Sequence, residues 1–381
     1  MLSYGLQSID KKDIRLVTNS LKGKWLTTGP YVAKFEKIFA SFVKSKYAVC
    51  VSNATAGLHL AVLSLNLKKG SEGITSPITF VASSNAMIYG GLKPKFTDIN
   101  LKTFNIDPKK ITKDITKKTK LFIPVHFGGQ PCDMKKIKEI SNKNKIFIIE
   151  DAAHAIGSKY SNSKHVGSCC YSDITVFSFH PVKTITTGEG GMITTNNKKL
   201  YEKLLLLRSH GITKNVNKFK SNPGPWYYEM QELGFNYRLT DIQAALGISQ
   251  LKKLPKFVKR RREIIKQYNK AFKNISWLTI PYEEKDMFSA FHLYVLLFDF
   301  KKIKKSRKQV MEILDKKGIG TQVHYIPVYW QPYYKKMFNY KKGICPNAEK
   351  YYKKCLSIPL YPAMTNKDVQ KVIKGILTLE S

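Results

Sequence analysis

One lysine lies where a lysine side chain could do chemistry, between a Ser/Phe/His segment and a run of glycines. The segment is FSFHPVKTITTGEGG, residues 177–191, and the lysine is Lys183. An amine shielded from water has a lowered pKa and can form a Schiff base with a carbonyl compound. Glycines at 188, 190 and 191 would let the backbone pass close to a flat ligand. Taken alone, this spacing is more typical of an exposed surface turn, so a catalytic role needs support from other segments.

An acidic residue follows a buried strand in FIIEDAAHAIGS, residues 147–158. Ligand-binding groups of α/β folds lie at the carboxyl ends of strands, and Asp151 falls at such an end. Its carboxylate could hold a protonated ring nitrogen through a charge-assisted hydrogen bond, although helix capping explains an aspartate here equally well. His154 lies three residues further on, and a lone histidine is usually a packing or surface residue.

Two further segments carry groups that suit a flat phosphorylated ligand. In VSNATAGLHLA (51–61), a strand leads into a helix whose first N–H groups could bind phosphate, with the hydroxyl of Thr55 adding a donor. In SPITFVASSNA (76–86), Phe80 could stack on a heteroaromatic ring. An ordinary helix cap and core packing are the simpler explanations of each segment. Neither a GxGxxG nor a GxxxxGK[ST] motif is present in the sequence.

Taken together, the four segments supply a phosphate site, a stacking ring, an acid for a ring nitrogen and an amine. These are the four needs of pyridoxal 5'-phosphate (PLP), a cofactor that acts as an electron sink. The combination predicts PLP more strongly than any one segment does, and it predicts no metal site.

Short apolar runs alternate with helical patterns over residues 47–200, which predicts an α/β domain with a mostly parallel sheet. Near-continuous apolar strands such as IFII indicate a sheet covered on both faces. The strands are predicted at 47–52, 73–76, 94–99, 120–127, 145–152, 173–179 and 191–195, and the helices at 55–65, 80–90 and 134–144.

A long helical pattern covers residues 239–272 and is expected to break near Pro255. The apolar segment 291–300, a helix at 306–318 and the segment 319–327 follow it, which predicts a smaller α+β domain. We therefore divide the chain into a large domain, residues 1–248 with the N-terminal segment, and a small C-terminal domain, residues 249–381.

The net charge of +38 comes mostly from dispersed lysines, because only seven of the 65 basic residues are arginines. The one arginine cluster, KRRRE at 259–263, falls in a helical pattern. A nucleic-acid binder would cluster its charge, so we favour a lysine-rich solvated surface that attracts anionic substrates. No signal peptide or membrane-spanning run is evident, which predicts a cytoplasmic protein without a membrane partner. The six cysteines form no CxxC pair and are expected to be reduced thiols.

The sequence resembles the DegT/DnrJ/EryC1/StrS family of sugar aminotransferases over nearly its whole length. The segments that carry the resemblance are SNATAGLHLA (52–61), SPITFVASSNA (76–86), EDAAHAIGS (150–158), SFHPVKTITTGEGG (178–191), RSHGI (208–212) and GFNYRLTDIQAALG (234–247). The resemblance implies the type I aminotransferase fold, PLP as cofactor and a homodimer with its active site at the subunit interface.

The resemblance also implies a role for each matching residue. Lys183 would bind PLP covalently, Asp151 would hold the ring nitrogen, and His154 would lie near the ring oxygen. Phe80 would cover one face of the ring. Phosphate contacts would come from Ala54, Thr55 and Ser178, and from Asn236 across the dimer interface. Related dehydratases have a histidine in place of Lys183, so the lysine favours transamination.

Four features narrow the resemblance within the family: Tyr4, KWLTTGP (24–30), SFHPVKTITTGEGG (178–191) and GIGTQVHYIPVY (318–329). By these features the sequence is similar to the transaminases of pseudaminic acid biosynthesis. That similarity implies transfer of an amino group from L-glutamate to C4 of a UDP-linked 4-keto-6-deoxy N-acetylhexosamine of the L-arabino series. The residues implied in sugar binding are Tyr4, Lys24, Trp25, Leu26, Thr27, Ala54, Ser178, Asn236, Gln322, Val323, His324 and Tyr325. HFGGQPCDM (126–134) and DAAHA look more like the general family, so the D-xylo isomer is the alternative substrate.

Two other classes of function stay open on the sequence. A binding or regulatory protein without PLP is compatible with the weakness of each single motif. A non-catalytic nucleic-acid-binding protein would rest on the charge of +38 alone. A yellow protein whose colour glutamate bleaches would distinguish the transaminase from both.

Overall fold

The computed structural model describes residues 1–380 and has a seven-stranded sheet at its centre. The strands are β1 (Tyr47–Val51), β2 (Glu72–Thr75), β3 (Lys93–Phe96), β4 (Thr119–Ile123), β5 (Phe147–Asp151), β6 (Ile174–Ser178) and β7 (Gly191–Thr195). Their order is β1-β7-β6-β5-β4-β2-β3, and only β7 runs antiparallel to its neighbours. The predicted mostly parallel sheet is therefore confirmed.

Twelve α-helices occur within the described residues. They are α1 (Lys11–Leu21), α2 (Pro30–Val43), α3 (Ala54–Ser64), α4 (Ala82–Tyr89), α5 (Pro108–Asp114), α6 (Met134–Asn144), α7 (Lys198–Arg208), α8 (Asp241–Phe272), α9 (Arg307–Lys316), α10 (Pro332–Phe338), α11 (Pro346–Lys354) and α12 (Asn366–Leu377). Helix α3 packs on one face of the sheet, and α2 and α8 belong to the apolar core of the other face. None of the helices within residues 1–380 combines the length and apolar character that crossing a membrane requires.

A second core follows in the C-terminal part of the chain around a three-stranded antiparallel sheet. Its strands pair in the order β10 (Leu278–Thr279), β11 (Tyr294–Phe298) and β12 (Cys355–Ile358). A two-stranded ribbon, β8 (Ile212–Thr213) with β9 (Glu229–Met230), lies outside both sheets. The domain division at residue 248 stays a prediction.

Helix α8 passes through Pro255 without a break, so the expected interruption is wrong. The pyrrolidine ring is exposed, whereas Leu254 and Val258 on the same helix are buried in the core beside the sheet. Proline removes one helical hydrogen bond and strains the preceding turn. Burial of the flanking apolar side chains offsets that cost and keeps the helix continuous.

The N-terminal segment is tied to the C-terminal core. Leu2 pairs with Ile319, and the N–H of Gly320 donates to the carbonyl of Leu2 at 2.7 Å. The N–H of Leu360 donates to the carbonyl of Tyr4 at 3.1 Å. These bonds fix Tyr4 beside the segment that contains His324.

Strand β5 also carries a carboxylate on the side of the sheet away from Asp151. Glu150 is fully buried and accepts hydrogen bonds from His126, Tyr160, Ser172 and Thr175. Burial alone would raise the pKa of Glu150, but the hydrogen bonds from its partners hold it below the usual value. A buried carboxylate with four donors fixes β5 next to the residue that enters the site.

We expect Glu150→Ala to lower the free energy of unfolding by about 3–5 kcal/mol, because it leaves several buried donors without an acceptor. Tyr160→Phe removes only one of the hydrogen bonds and should lower stability by about 1–2 kcal/mol. Chemical denaturation of both variants measures the difference. A Glu150→Ala variant within about 1 kcal/mol of the unsubstituted chain would show that this network does not hold β5.

Candidate active site

A cleft of about 860 Å³ opens where the carboxyl ends of β5 and β6 meet the first turn of α3. Most of the predicted site residues line it, although they are far apart in sequence. These are Tyr4, Ala54, Thr55, Phe80, Asp151, His154, Ser178, Lys183, Gln322, Val323, His324 and Tyr325. The structure therefore brings together both the predicted cofactor residues and one part of the predicted sugar residues.

The other predicted residues do not line the cleft of the single chain. Lys24, Trp25, Leu26 and Thr27 are exposed and lie beside the start of α8, where the N–H of Asp241 donates to the carbonyl of Leu26 at 2.9 Å. Asn236 is also exposed and pairs with Ser209. Their roles across a dimer interface stay predictions.

Lys183 lies in a tight turn after β6, where its N–H donates to the carbonyl of His180 at 2.8 Å. Burial lowers the pKa of Lys183 to about 8, while the nearby carboxylate of Asp151 acts in the opposite direction. The side chain is half-buried and lines the cleft. Near neutral pH this amine is much more often unprotonated than an ordinary lysine, as a nucleophile or general base requires.

The glycines after Lys183 serve the protein's own packing more than ligand approach. Gly188 has a φ of +79°, which favours glycine. A Cβ on Gly190 would lie 2.1 Å from Oγ1 of Thr187, and one on Gly191 would lie 2.9 Å from the backbone nitrogen of Ala54. The expectation that Gly188, Gly190 and Gly191 let a ligand pass is corrected for the last two, because protein atoms fill that space.

Asp151 ends β5 with its carboxylate held by two donors. The hydroxyl of Ser83 donates to Oδ2 at 2.7 Å, and the N–H of Ala153 donates to Oδ1 at 3.1 Å. Because Ser83 gives its one proton to the carboxylate, the hydroxyl of Thr79, 2.7 Å away, must donate to Ser83. Sequence reasoning missed this pair. Thr79 precedes α4 and Ser83 lies in its first turn, so no helical spacing in the sequence indicated the pair.

The first turn of α3 leaves two N–H groups at the cleft. The side chain of Asn53 caps the helix by accepting from the N–H of Ala56 at 2.8 Å. The N–H groups of Ala54 and Thr55 have no hydrogen-bond partner within residues 1–380. A helix N-terminus with free donors and a positive dipole end attracts phosphate, and the buried hydroxyl of Ser178 lines the same cleft.

Phe80 precedes α4, which begins at Ala82 and not at residue 80 as predicted. Its ring is 60% exposed on the cleft wall, and its centroid lies 6.5 Å from that of Tyr325. An exposed aromatic face in a cleft suits stacking on a flat ligand. Together with the amine of Lys183, the carboxylate of Asp151 and the free N–H groups of α3, this face fits PLP.

His154 is buried beside Tyr325. The N–H of Gly128 donates to Nδ1 of His154 at 3.3 Å, and the hydroxyl of Tyr325 lies 3.3 Å from Nε2. Burial, together with the positive charge of Lys183 and the nearby ring of His324, lowers the pKa of His154 well below its ordinary value. The imidazole is therefore uncharged at neutral pH.

His324 is also held uncharged. Its Nδ1 lies 2.8 Å from the hydroxyl of Ser357, and burial, with a contribution from the charge of Lys183, lowers its pKa to about 3. In the unfolded chain a histidine binds its proton near pH 6.5. Between the two values the unfolded state binds more protons, so stability rises with pH and is lost as the pH falls below about 6.5.

We expect His324 to make the unfolding free energy rise by about 1.4 kcal/mol per pH unit between about pH 4 and 6. His324→Asn keeps a hydrogen-bonding side chain near Ser357 but cannot titrate, so its stability should vary less with pH by this amount. Urea denaturation of both proteins at several pH values measures the slopes. Equal slopes would contradict the assignment.

Several cleft residues were not predicted from the sequence, among them His59, Tyr89, Glu189 and Tyr237. Nδ1 of His59 lies 3.4 Å from the hydroxyl of Tyr237. The spacing of four residues between Thr55 and His59 on a predicted helix was the available signal for one of them. Glu189 and Tyr237 lie in the segments 177–191 and 234–247, but no local pattern there indicated that their side chains reach the cleft.

Comparison with known proteins agrees with the PLP site that the geometry of the cleft indicates. Residues 7–377 match the model of the DegT/DnrJ/EryC1/StrS aminotransferase family. The spore coat polysaccharide biosynthesis protein SpsC of Bacillus subtilis is 45% identical over 98% of this chain and 96% of its own length. The UDP-4-amino-4,6-dideoxy-N-acetyl-beta-L-altrosamine transaminase of Campylobacter jejuni is 40% identical over 99% of this chain and 96% of its own length.

Solved structures of aminotransferases share the fold over the whole chain. PseC of Helicobacter pylori, an aminotransferase involved in the biosynthesis of pseudoaminic acid, has a TM-score of 0.92 and 33% identity and covers 99% of this chain and 98% of its own. The PLP form of the sugar aminotransferase Spr1654 of Streptococcus pneumoniae has a TM-score of 0.91 and 28% identity, covering 100% and 98%. The type I aminotransferase fold is thereby confirmed. The chain belongs to the DegT/DnrJ/EryC1/StrS aminotransferase family and is a transaminase with pyridoxal 5'-phosphate as its cofactor.

Proposed function

We propose that the enzyme transfers an amino group from L-glutamate to C4 of a UDP-linked 4-keto-6-deoxy N-acetylhexosamine of the L-arabino series. The observation that carries this proposal is the 40% identity, over 99% of the chain, to a transaminase named for its UDP-4-amino-4,6-dideoxy sugar. An amine at C4 of a 6-deoxy sugar arises by transamination of the corresponding 4-ketone. The 45% identity to a spore coat polysaccharide biosynthesis protein supports a sugar substrate in general.

The volume of the cleft and the net charge of the protein suit such a substrate. Ligand pockets commonly measure about 300–1,000 Å³, and the cleft of about 860 Å³ is large enough for PLP together with a sugar. The net charge of +38 attracts a diphosphate-linked substrate from solution. Tyr4 and the segment 322–325 form one wall of this cleft, where they would contact the sugar.

In the proposed reaction, bound PLP supplies the electron sink that stabilises charge at the reacting carbon. The amine of Lys183 would hold the cofactor and would then move protons as general base and general acid, for which a pKa of about 8 is well matched. The carboxylate of Asp151, which Ser83 keeps in place, would hold the protonated ring nitrogen. Phe80 would cover one ring face, and the N–H groups of Ala54 and Thr55 would bind the phosphate.

A homodimer would complete the site. The segment 24–27 and Asn236 are exposed and lie outside the cleft of their own chain. Exposed apolar side chains lie in or near these segments, including Trp25, Trp226 and Leu233. Large exposed apolar side chains of this kind are typical of an interface between subunits. In the dimer, Asn236 would reach the phosphate region and segment 24–27 the nucleotide sugar of the partner subunit.

The test is an assay with both candidate ketones. The purified protein is incubated with PLP, L-glutamate and either the L-arabino or the D-xylo isomer of the UDP-4-keto sugar, and the product is identified by mass spectrometry and NMR. We expect amination at C4 of the L-arabino isomer. Product from the D-xylo isomer alone would replace the proposed substrate by its alternative, and no product from either would contradict amination of this sugar class.

The amino donor and the oligomeric state of the protein are tested together with the substrate. L-Glutamate is replaced in turn by other amino acids, and light scattering measures the mass of the assembly. We expect glutamate to be the best donor and the particle to have at least twice the mass of one chain, 43.6 kDa. A fully active monomer would show that no second subunit is needed to complete the cleft.

A further inference from the structure

A second buried imidazole lies behind His154. His292 precedes β11, is 4% exposed, and packs against His154 with ring centroids 4.5 Å apart and the two rings tilted by 42°. It does not line the cleft. Its Nδ1 is buried without a hydrogen-bond partner within residues 1–380. A buried polar atom left unsatisfied destabilises a protein, so its presence directly behind a cleft residue calls for a physical reason.

The hydrogen bond from the backbone fixes the tautomer of His154. Because the N–H of Gly128 donates to Nδ1, that nitrogen carries no proton. The neutral ring then carries its proton on Nε2, which points to the hydroxyl of Tyr325 on the cleft wall. A second proton on Nδ1 would oppose the N–H of Gly128, so a charged ring does not fit this position.

The backbone segments around the two imidazoles are packed closely against one another. Gly129 has a φ of +99°, and a Cβ there would lie 3.0 Å from the backbone nitrogen of His292 and 3.1 Å from the carbonyl oxygen of His154. The hydroxyl of Ser158 donates to the carbonyl of Gly129 at 2.7 Å and accepts from the N–H of Ala290 at 3.0 Å. The two imidazoles therefore meet where the central sheet contacts the C-terminal core, with little freedom to separate.

A buried arginine holds His292 from the other side. Arg261 on α8 is fully buried, and its Nη1 donates to the carbonyls of Phe291, His292 and Leu360, at 3.1 Å to His292. Its Nε and Nη2 have no partner among the described residues, and it forms no ion pair there. Arg261 thus places a positive charge without an ion-pair partner next to His292. This charge opposes protonation of the two imidazoles.

We infer that His292 is a positioning residue for the cleft: its ring, on a backbone fixed by Arg261, packs against His154 and keeps that imidazole uncharged, with the proton on Nε2 facing the cleft. The ring of His292 excludes water from the inner face of His154 and prevents its rotation. The inference concerns the protein's own side chains at the site assigned above, and it holds for either candidate sugar.

The groups around the two imidazoles also lower the pKa values of both rings. Burial lowers the pKa of His154, and the positive charge of Lys183 and the ring of His324 on the cleft side lower it further. Burial also lowers the pKa of His292 well below its usual value, with contributions from His154, Lys183, Arg261 and His324. Asp151 and Glu189 are the cleft carboxylates, and neither accepts a hydrogen bond from either imidazole. The phenol of Tyr325, whose pKa is raised by burial, stays neutral.

NMR of histidine ring nitrogens in the full-length protein tests the inference, with and without PLP. The His154 signal is identified by its loss in His154→Gln. In the unsubstituted chain we expect one Nε2–H tautomer whose titration midpoint lies well below the pH of about 6.5 at which a free histidine titrates. In His292→Ala, water enters the space beside the ring, so the midpoint should rise to about pH 6, near that of a free histidine.

His292→Phe is the matched control, because it keeps a flat ring on His154 and should keep the single tautomer without titration. A parallel measurement of kcat/KM against pH should show activity falling between about pH 7 and 5.5 more steeply in His292→Ala than in His292→Phe. If His292→Ala does not fold, His292→Asn is measured with the same expectation. The inference is overturned if the His154 signal is unchanged in His292→Ala (or in His292→Asn where that variant replaces it). It is also overturned if His154 titrates near pH 6 in His292→Phe.

The NMR outcome is independent of the assignment of the sugar. Failure of both keto sugars to react would contradict the proposed substrate but leave the tautomer of His154 as inferred. An unchanged His154 signal would contradict the inference but leave the substrate assay unaffected.

Discussion

Lys183→Ala is expected to abolish amino transfer, with a loss of at least about 10³-fold in kcat, because both the covalent anchor of PLP and the proton-transferring amine are removed. Lys183 is the amine that the turn after β6 places in the cleft together with Asp151. The variant should also lose the absorbance of covalently bound PLP. Steady-state assay and absorption spectra of the purified protein measure both effects.

Borohydride reduction of the unsubstituted enzyme, followed by peptide mapping, separates this assignment from a general loss of structure. The pyridoxyl group should be found on Lys183 alone, although the chain contains many other lysines. Lys183→Arg, which keeps the positive charge but cannot bond to the cofactor's aldehyde, should be as inactive as the alanine variant. Reduction that labels a different lysine, or normal turnover in either variant, would contradict the role of Lys183.

Asp151→Asn is expected to leave the fold intact and lower kcat by about 10²–10³-fold, because a neutral amide no longer stabilises a protonated ring nitrogen. The hydroxyl of Ser83 and the N–H of Ala153 hold the aspartate; in an asparagine the amide oxygen can still accept from Ala153 and the amide nitrogen can donate to the oxygen of Ser83, which explains the expected stability. The steady-state assay and a thermal melt are the measurements.

Asp173→Asn provides a matched control for this substitution. Asp173 accepts a hydrogen bond from the N–H of Ile148 at 2.8 Å and does not line the cleft, so its activity should stay near normal. Ser83→Ala should fall between the two variants, with a loss of about 10-fold, because the carboxylate remains but one of its donors is removed. Full activity in Asp151→Asn would overturn the ring-nitrogen role.

Much of the candidate site could be predicted because its residues follow local signals. Asp151 ends an apolar strand, Thr55 follows a strand at a helix start, and Lys183 precedes a glycine-rich turn. Parallel strands place their carboxyl ends at one edge of a sheet, so separate local predictions converge on one cleft. The amino-acid sequence was therefore sufficient to predict the cofactor.

Other features could not be predicted, because they depend on contacts between distant segments. Gly191 is required by the backbone at the start of α3, and the continuity of α8 through Pro255 depends on a core that no local pattern describes. The contact of His154 with His292 joins residues 138 positions apart, so no local spacing could indicate it. Sequence reasoning therefore gave Gly191 and Pro255 the wrong physical role and did not identify His292.

The sequence by itself determined the kind of chemistry, since an amine, an acid, a phosphate-binding helix start and an aromatic face are properties of short segments. The tertiary structure alone decided how these groups are tuned. Burial of Lys183 and of three histidines lowers their pKa values, and burial is set by which segments pack together. Charge state and tautomer in the cleft thus follow from the packing of the C-terminal core against the central sheet.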